Sequence, residues 1–239
     1  MRFLELTLPT PQENLACDEA LLDACDEGDP VPVLRVWEPG SPFVVLGYSR
    51  PMADEADLAA CRARAIPVLR RASGGGTVLQ SPGGLNYALI LPFTGRGPLE
   101  SVSGAMRFVL EAHRRALEPL LGSPVGLQGY SDLTLGDRKF SGNAQRRRRR
   151  AVLIHGSFLL NADLALMTTL LPPPAQQPAY RNRRSHHEFL TNLGIPAARL
   201  IAILREAWRA VQVLEHVPVA RIERLVRTRY TADAWTRKF

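Results

Sequence analysis

Arg70-Arg71-Ala72-Ser73-Gly74-Gly75-Gly76-Thr77, followed ten residues after Gly76 by Asn86, is the stretch on which the reading of this chain turns. Three consecutive glycines leave a backbone without side chains, so the chain turns sharply and its N–H groups reach a ligand directly. The two arginines before them bring planar forks of donors suited to carboxylate or phosphate. Basic donors beside a bare loop imply an anion site, with a phosphate-bearing ligand as the first choice. A plain glycine-rich hairpin with solvated arginines is the competing reading.

Outside this stretch the composition is that of a globular protein. The chain has 239 residues, 46% hydrophobic and 22% charged, enough for a sizeable core in one large domain. No apolar run approaches the roughly 20 residues of a membrane span, and Met1-Arg2-Phe3-Leu4-Glu5-Leu6 does not read as a signal peptide. Cys17, Cys25 and Cys61 are odd in number and show no C-x-x-C spacing. This usage predicts buried thiols in a reducing compartment and a cytoplasmic location. The net charge of +7 favours acidic partners. Much of it lies in the five arginines 146–150, which read as a solvated loop or an electrostatic docking patch. No aromatic residues interleave with them, so nucleic acid is not implied.

Periodicity predicts a helix over 14–24, with Asn14 as its cap, and a hairpin of strands 33–37 and 43–47 across Glu38-Pro39-Gly40-Ser41-Pro42. Further helices are expected over 57–65, 102–121, 186–193, 197–213 and 219–228, and strands over 66–70 and 85–91. Strands 132–135 and 139–145 flank a Gly136-Asp137-Arg138 turn, and strand 151–160 lies across from them. Without strict β-α-β alternation, this order reads as α+β, a mixed and largely antiparallel sheet flanked by helices.

The segment 132–155 is the second chemical signal. Lys139 lies in an apolar strand context, where a charge needs a partner: a ligand anion, or solvent reached from an edge strand. His155 by itself reads as a structural histidine. His186-His187-Glu188 does not have zinc spacing. P-loop, dinucleotide-fold and G-x-S-x-G signatures do not occur.

Taken together, these residues resemble a family. Arg70 to Val78 with Leu85-Asn86 is similar to the R-R-x-S-G-G-G-x-V … L-N signature of lipoate–protein ligases. Asp132, Lys139-Phe140-Ser141-Gly142-Asn143-Ala144-Gln145 and His155-Gly156-Ser157-Phe158-Leu159 resemble its D … K-x-S-G-x-A-Q … H-G-x-x-L, and Asn14-Leu15-Ala16 with Asp18-Glu19 its N-terminal motif. The resemblance implies the catalytic fold shared with biotin ligases and octanoyl transferases, distantly related to class II aminoacyl-tRNA synthetases. Its motifs agree in order and spacing from about Asn14 to Leu160, with a further likeness over Tyr230 to Trp235, and imply that residues 1–239 form one domain without the C-terminal accessory domain of many ligases.

The implied chemistry is activation of lipoate, or octanoate, by ATP to an acyl-adenylate, then transfer to a lysine of a lipoyl carrier domain. Such carriers are E2 subunits and the glycine-cleavage H protein; a separate accessory protein is a further implied partner. By resemblance Lys139 is the catalytic residue, stabilising charge on acyl carbonyl and phosphate. Arg70, Ser73, Gly74, Gly75, Gly76, Thr77, Asn86 and Asp132 bind the adenylate, and Asp132 is also the implied Mg²⁺ ligand. Ser141, Gly142 and Ala144 line the acyl tunnel, His155 and Gly156 support it, and Val78, Leu79 and Ile154 form its apolar walls. The chain departs from the family where Gln80-Ser81 replaces His-Asp and Ser131 replaces Asn. Two alternatives stay open: an octanoyl or lipoyl transferase without ATP, and a non-catalytic member that binds lipoyl domains. Related transferases use a cysteine nucleophile, and none stands at the matching positions here.

Overall fold

The computed structural model describes residues 1–28 and 30–239. In chain order the strands are β1 Arg2–Glu5, β2 Val33–Trp37, β3 Phe43–Leu46, β4 Val68–Arg70, β5 Val78–Gln80, β6 Gly84–Pro92, β7 Val125–Gln128, β8 Asp132–Leu135, β9 Arg138–Arg147, β10 Ala151–Leu159 and β11 Gln212–Val213. The helices are α1 Pro11–Glu27, α2 Met52–Glu55, α3 Leu58–Ala63, α4 Val102–Leu121, α5 Leu164–Leu170, α6 His186–Phe189, α7 Ala197–Ala207, α8 Val219–Leu225 and α9 Asp233–Thr236. Eight strands form a mixed sheet in the order β11-β1-β2-β6-β10-β9-β8-β7, and β4-β3-β5 form a second, smaller one. In the large sheet β1 runs parallel to β2 and β11, and the other pairings are antiparallel. The α+β expectation therefore holds.

Side chains alternate across a strand, so each central strand feeds two layers. Leu85, Tyr87, Leu89, Ile154 and Phe158 pack with Val109, Leu117 and Leu200 of α4 and α7. On the opposite face Ala88, Ile90 and Leu153 meet Leu21 and Leu22 of α1 and Ile222 of α8. A third cluster joins Val44 and Leu79 of the small sheet to Cys61, Met167, Leu170 and Phe189.

Several local expectations give way to tertiary demands. Strands β2 and β3 do not form a hairpin: every residue of each is buried, and each takes partners in a different sheet. The cap of α1 is Thr10, whose hydroxyl and Glu13 form a capping box. Asn14 lies inside the helix and instead bonds Leu8, Thr10 and Arg35. The helix from Ala197 stops at Ala207, and Gln212–Val213 pairs with β1. The helix from His186 spans four residues.

The arginine run is also less free than expected. Arg148 donates to Glu19 and Asp23, Arg150 to Asp26, and Arg147 to the carbonyls of Leu99, Glu100 and Ser101. Arg146 lies over the Tyr48 ring. The β9–β10 turn is thereby bound to α1 and to the segment before α4, and of the five arginines Arg149 is the exposed one without a partner among the described residues. No helix among the described residues is long and apolar enough to cross a membrane.

Candidate active site

The cleft is built on one face of the large sheet. Register places Trp37, Asn86, Ser157, Gly142 and Asp132 in one row across β2, β6, β10, β9 and β8. The next row on the same face carries Arg35, Ala88, His155 and Ala144. Gly75, Gly76, Thr77 and Val78 come over this floor from the loop between the small-sheet strands, and Leu15 and Asp18 come from α1. The cleft is half open and its volume is about 140 Å³, below the usual range for a small-molecule site.

Two glycines have a steric reason. A Cβ on Gly47 would stand 2.0 Å from the Gly75 carbonyl oxygen, and Gly75 has φ +89°, so the loop presses onto the turn after β3. A Cβ on Gly142 would stand 2.7 Å from Lys139 Nζ. The lysine stem lies over this bare position, and Nζ makes a 2.8 Å ion pair with Asp132 Oδ1.

Both arginines of the glycine motif serve the backbone. Arg70 is fully buried, donating to the carbonyls of Gly47, Tyr48, Arg50 and Thr236. It does not line the cleft, which corrects the expectation of a phosphate ligand there: all of its recorded bonds go to carbonyls. Arg71 borders the cleft, but its guanidinium bonds Gly74, Gly76, Val45 and Ser73 and so holds the loop in shape. Burial pushes its pKa down to about 10.

Ser73 Oγ and His155 Nε2 are 2.6 Å apart, and His155 Nδ1 is 3.1 Å from Asp18 Oδ2. Asp18 also takes a 2.6 Å bond from Arg35. Burial alone would raise the Asp18 carboxyl; the Arg35 charge and the His155 bond outweigh it and hold it below the usual carboxylate range. The ionised Asp18 assigns the proton to Nδ1, so Nε2 accepts from the Ser73 hydroxyl. The order is that of a hydrolytic triad. Ser73, however, is 1% exposed and already accepts from Arg71 Nε, so the chain acts as a latch from α1 through β10 to the glycine loop.

Of the residues expected at the site, Gly75, Gly76, Thr77, Asn86, Lys139, Gly142, Ala144, His155 and Gly156 line the cleft. Ser73 and Asp132 stand behind lining residues, while Gly74 and Ser141 lie outside the lining. Val78 is a wall, but Leu79 and Ile154 face other cores because neighbours in a strand point to opposite sides. Trp37, Val45 and Leu15 supply apolar wall instead. Sequence reasoning did not assign Asp18, Gln80, Asn143 or Ser157 to the site; Ser157 was findable as the residue two beyond His155 on the same face.

The donor set fits an oxygen-rich anion. Asn86 Nδ2 and Thr77 Oγ1 are buried without a partner among the described residues, a state that costs about 1–3 kcal/mol per group unless a ligand supplies one. The donor set does not fit a dedicated metal seat. Asp132 Oδ2 accepts from Tyr180 (2.7 Å) while Oδ1 holds Lys139, and the described residues contain no cluster of three His, Cys, Asp or Glu. The Mg²⁺ expected at Asp132 would have to displace the Lys139 ammonium.

A glycine loop over a mixed sheet, with a paired lysine and buried donors left unpartnered among the described residues, makes a cleft suited to a small anionic ligand. The chain belongs to the lipoyl protein ligase A/B catalytic domain family, whose profile matches residues 10–203. A putative lipoate-protein ligase A of Aeropyrum pernix is 29% identical over 89% of this chain and 76% of its own length. Octanoyltransferase LipM of Geobacillus kaustophilus is 28% identical over 99% of this chain and 98% of its own. Among solved structures, a bipartite lipoate protein ligase of Thermoplasma acidophilum, described with its E2 lipoyl domain, superposes with TM-score 0.84 at 23% identity, covering 99% and 95% of the two chains. A lipoate-protein ligase A bound with ATP gives 0.83 at 22%, covering 99% and 98%. The fold is that of lipoate ligases, and the protein is an enzyme of the ligase and octanoyltransferase family.

Proposed function

We propose that residues 1–239 form one catalytic domain of an ATP-dependent lipoate–protein ligase. The acyl carboxylate attacks the α-phosphorus of ATP and pyrophosphate leaves. A lysine amine of a lipoyl carrier domain then attacks the acyl carbonyl, AMP leaves, and the amine loses its proton. In this reading Lys139 stabilises the charge that develops on carbonyl and phosphate, an electrostatic role that needs no covalent intermediate. Asn86 Nδ2, Thr77 Oγ1 and the backbone of Gly75 and Gly76 offer donors to the adenylate. Leu15, Trp37, Val45 and Val78 shelter the acyl chain. An E2 lipoyl domain is the carrier favoured by the Thermoplasma neighbour.

The observation that carries the choice of ligase over transferase is what the cleft contains. Lys139 lines it, and none of the three cysteines does. A thioester route needs an accessible thiolate. Cys17, Cys25 and Cys61 are all buried, and burial pushes the Cys17 thiol up to about 11. The full-length LipM match favours testing the transferase reading beside it.

The test is mass-spectrometric detection of acyl-adenylate after incubation of the purified chain with lipoate, ATP and Mg²⁺. The expected outcome is a product that disappears in Lys139→Ala. Absence of adenylate, together with transfer from an octanoylated carrier protein to an apo-lipoyl domain, would replace the ligase with a transferase. Absence of adenylate, with completion from synthetic lipoyl-adenylate, would indicate a two-chain ligase.

A further inference from the structure

A polar chain runs across β5, β10 and β6 beside Lys139. Gln80 Nε2 donates to Ser157 Oγ at 2.8 Å, and the Ser157 hydroxyl donates to Asn86 Oδ1 at 2.5 Å. Asn86 is 3% exposed, and its Nδ2, the end of the chain, has no partner among the described residues. All three residues line the cleft.

A serine hydroxyl has one hydrogen. When Gln80 supplies an N–H to Oγ, that hydrogen is free to go to Asn86. The Asn86 oxygen is then engaged, and its carboxamide is left with donors alone. If the group at position 80 were an acceptor, the hydroxyl would turn to it. Asn86 would then give an N–H to Ser157 and present oxygen in place of nitrogen. The polarity of the whole chain is therefore set at Gln80, the position where the resembled family usually has histidine.

The sheet fixes what these donors stand beside. Asn86, Ser157 and Gly142 are register neighbours, and Lys139 lies over Gly142. An ammonium and an oriented amide thus border one cleft, where an anion gains from both.

We propose that Gln80 and Ser157 are positioning residues that hold the Asn86 carboxamide with its N–H donors toward an acceptor oxygen of the acyl-adenylate. This rests on the ligase reading. It specifies the ligand class at that end of the cleft: an anionic acyl-phosphate group, held by a donor that two residues behind it orient.

The probe is octanoyl-sulfamoyl-adenosine, a non-hydrolysable acyl-adenylate mimic, titrated calorimetrically into the full chain. Wild-type binding tests the ligase reading; no binding would overturn that reading and the inference with it. Given wild-type binding, Gln80→Glu is expected to weaken it about 10- to 100-fold, because the new acceptor reverses the chain and turns an oxygen to the ligand. Adding Ser157→Ala removes the link, so the double variant is expected to bind within about threefold of Ser157→Ala alone, a coupling that independent effects would not give. Ser157→Thr keeps the hydroxyl and is expected to bind within about twofold of wild type. Wild-type affinity in Gln80→Glu would overturn the proposal. So would a double variant as weak as Gln80→Glu, which would mark plain charge repulsion. Should Gln80→Glu fail to fold, the Ser157 pair decides alone: equal affinity of the Ala and Thr variants would overturn it.

Discussion

The two faces of β6 and β10 are built of different residues. Toward α4 and α7 the strands present Leu85, Tyr87, Leu89, Val152, Ile154 and Phe158, all buried in one apolar cluster. Toward α1 and the small sheet the same strands present Asn86, His155 and Ser157, with Gly142 and Ala144 of β9 beside them. The lesson is that alternation lets one strand build core and cleft at once. Stability and activity should then separate by odd and even position.

Phe158→Ala tests the core face. The ring is fully buried against Tyr87, His113 and Phe140, so urea unfolding should show a loss of about 3–5 kcal/mol. Lys139→Ala tests the cleft face. Adenylate formation should fall about 10²–10³-fold, while unfolding should change by less than for Phe158→Ala, because the lysine is one-quarter exposed and Tyr180 still donates to the buried Asp132 carboxylate. Equal loss of stability in both variants would break the comparison.

His113 sharpens it through pH. Burial on the core face pushes its pKa from 6.5 down to about 3. The unfolded chain therefore binds the extra proton between these values, so this stabilising contribution is complete above about pH 6.5 and shrinks as pH falls. Relative to His113→Gln, the wild type should lose about 2 kcal/mol between pH 7.5 and pH 5 in denaturant titrations. The smallest effect is expected from Ser73→Ala, which removes the latch on His155. It should cost about 0.5–1.5 kcal/mol in unfolding, with a raised KM for the acyl substrate and a kcat that changes less.

The sequence announced what depends on local pattern. The helix over 102–121 matches α4 because its apolar stripe, the Ser101 cap and the αL Gly122 all act within a few residues. The glycine loop and the strands bearing Asn86, Lys139 and His155 were equally visible. Partners were less so. A guanidinium suits phosphate and carbonyl alike, and only the folded chain shows Arg70 surrounded by carbonyls. The two exposed residues of β11 carry no alternation to detect. The separation of β2 from β3 depends on strands distant in sequence.

The manner in which Arg70 is satisfied has a consequence for biosynthesis. Its Nε and Nη2 both donate to the carbonyl of Thr236, 166 positions away, and Leu214 N closes onto Phe3. A nascent chain that has emerged only through β10 holds every cleft-lining residue and the Gly47, Tyr48 and Arg50 acceptors of Nη1, yet it lacks the Thr236 carbonyl that receives Nε and Nη2, and the strand β11 beside β1. The shell around Arg70 is completed only after the region around 236 has left the ribosome, and until β11 arrives one edge of β1 stays open.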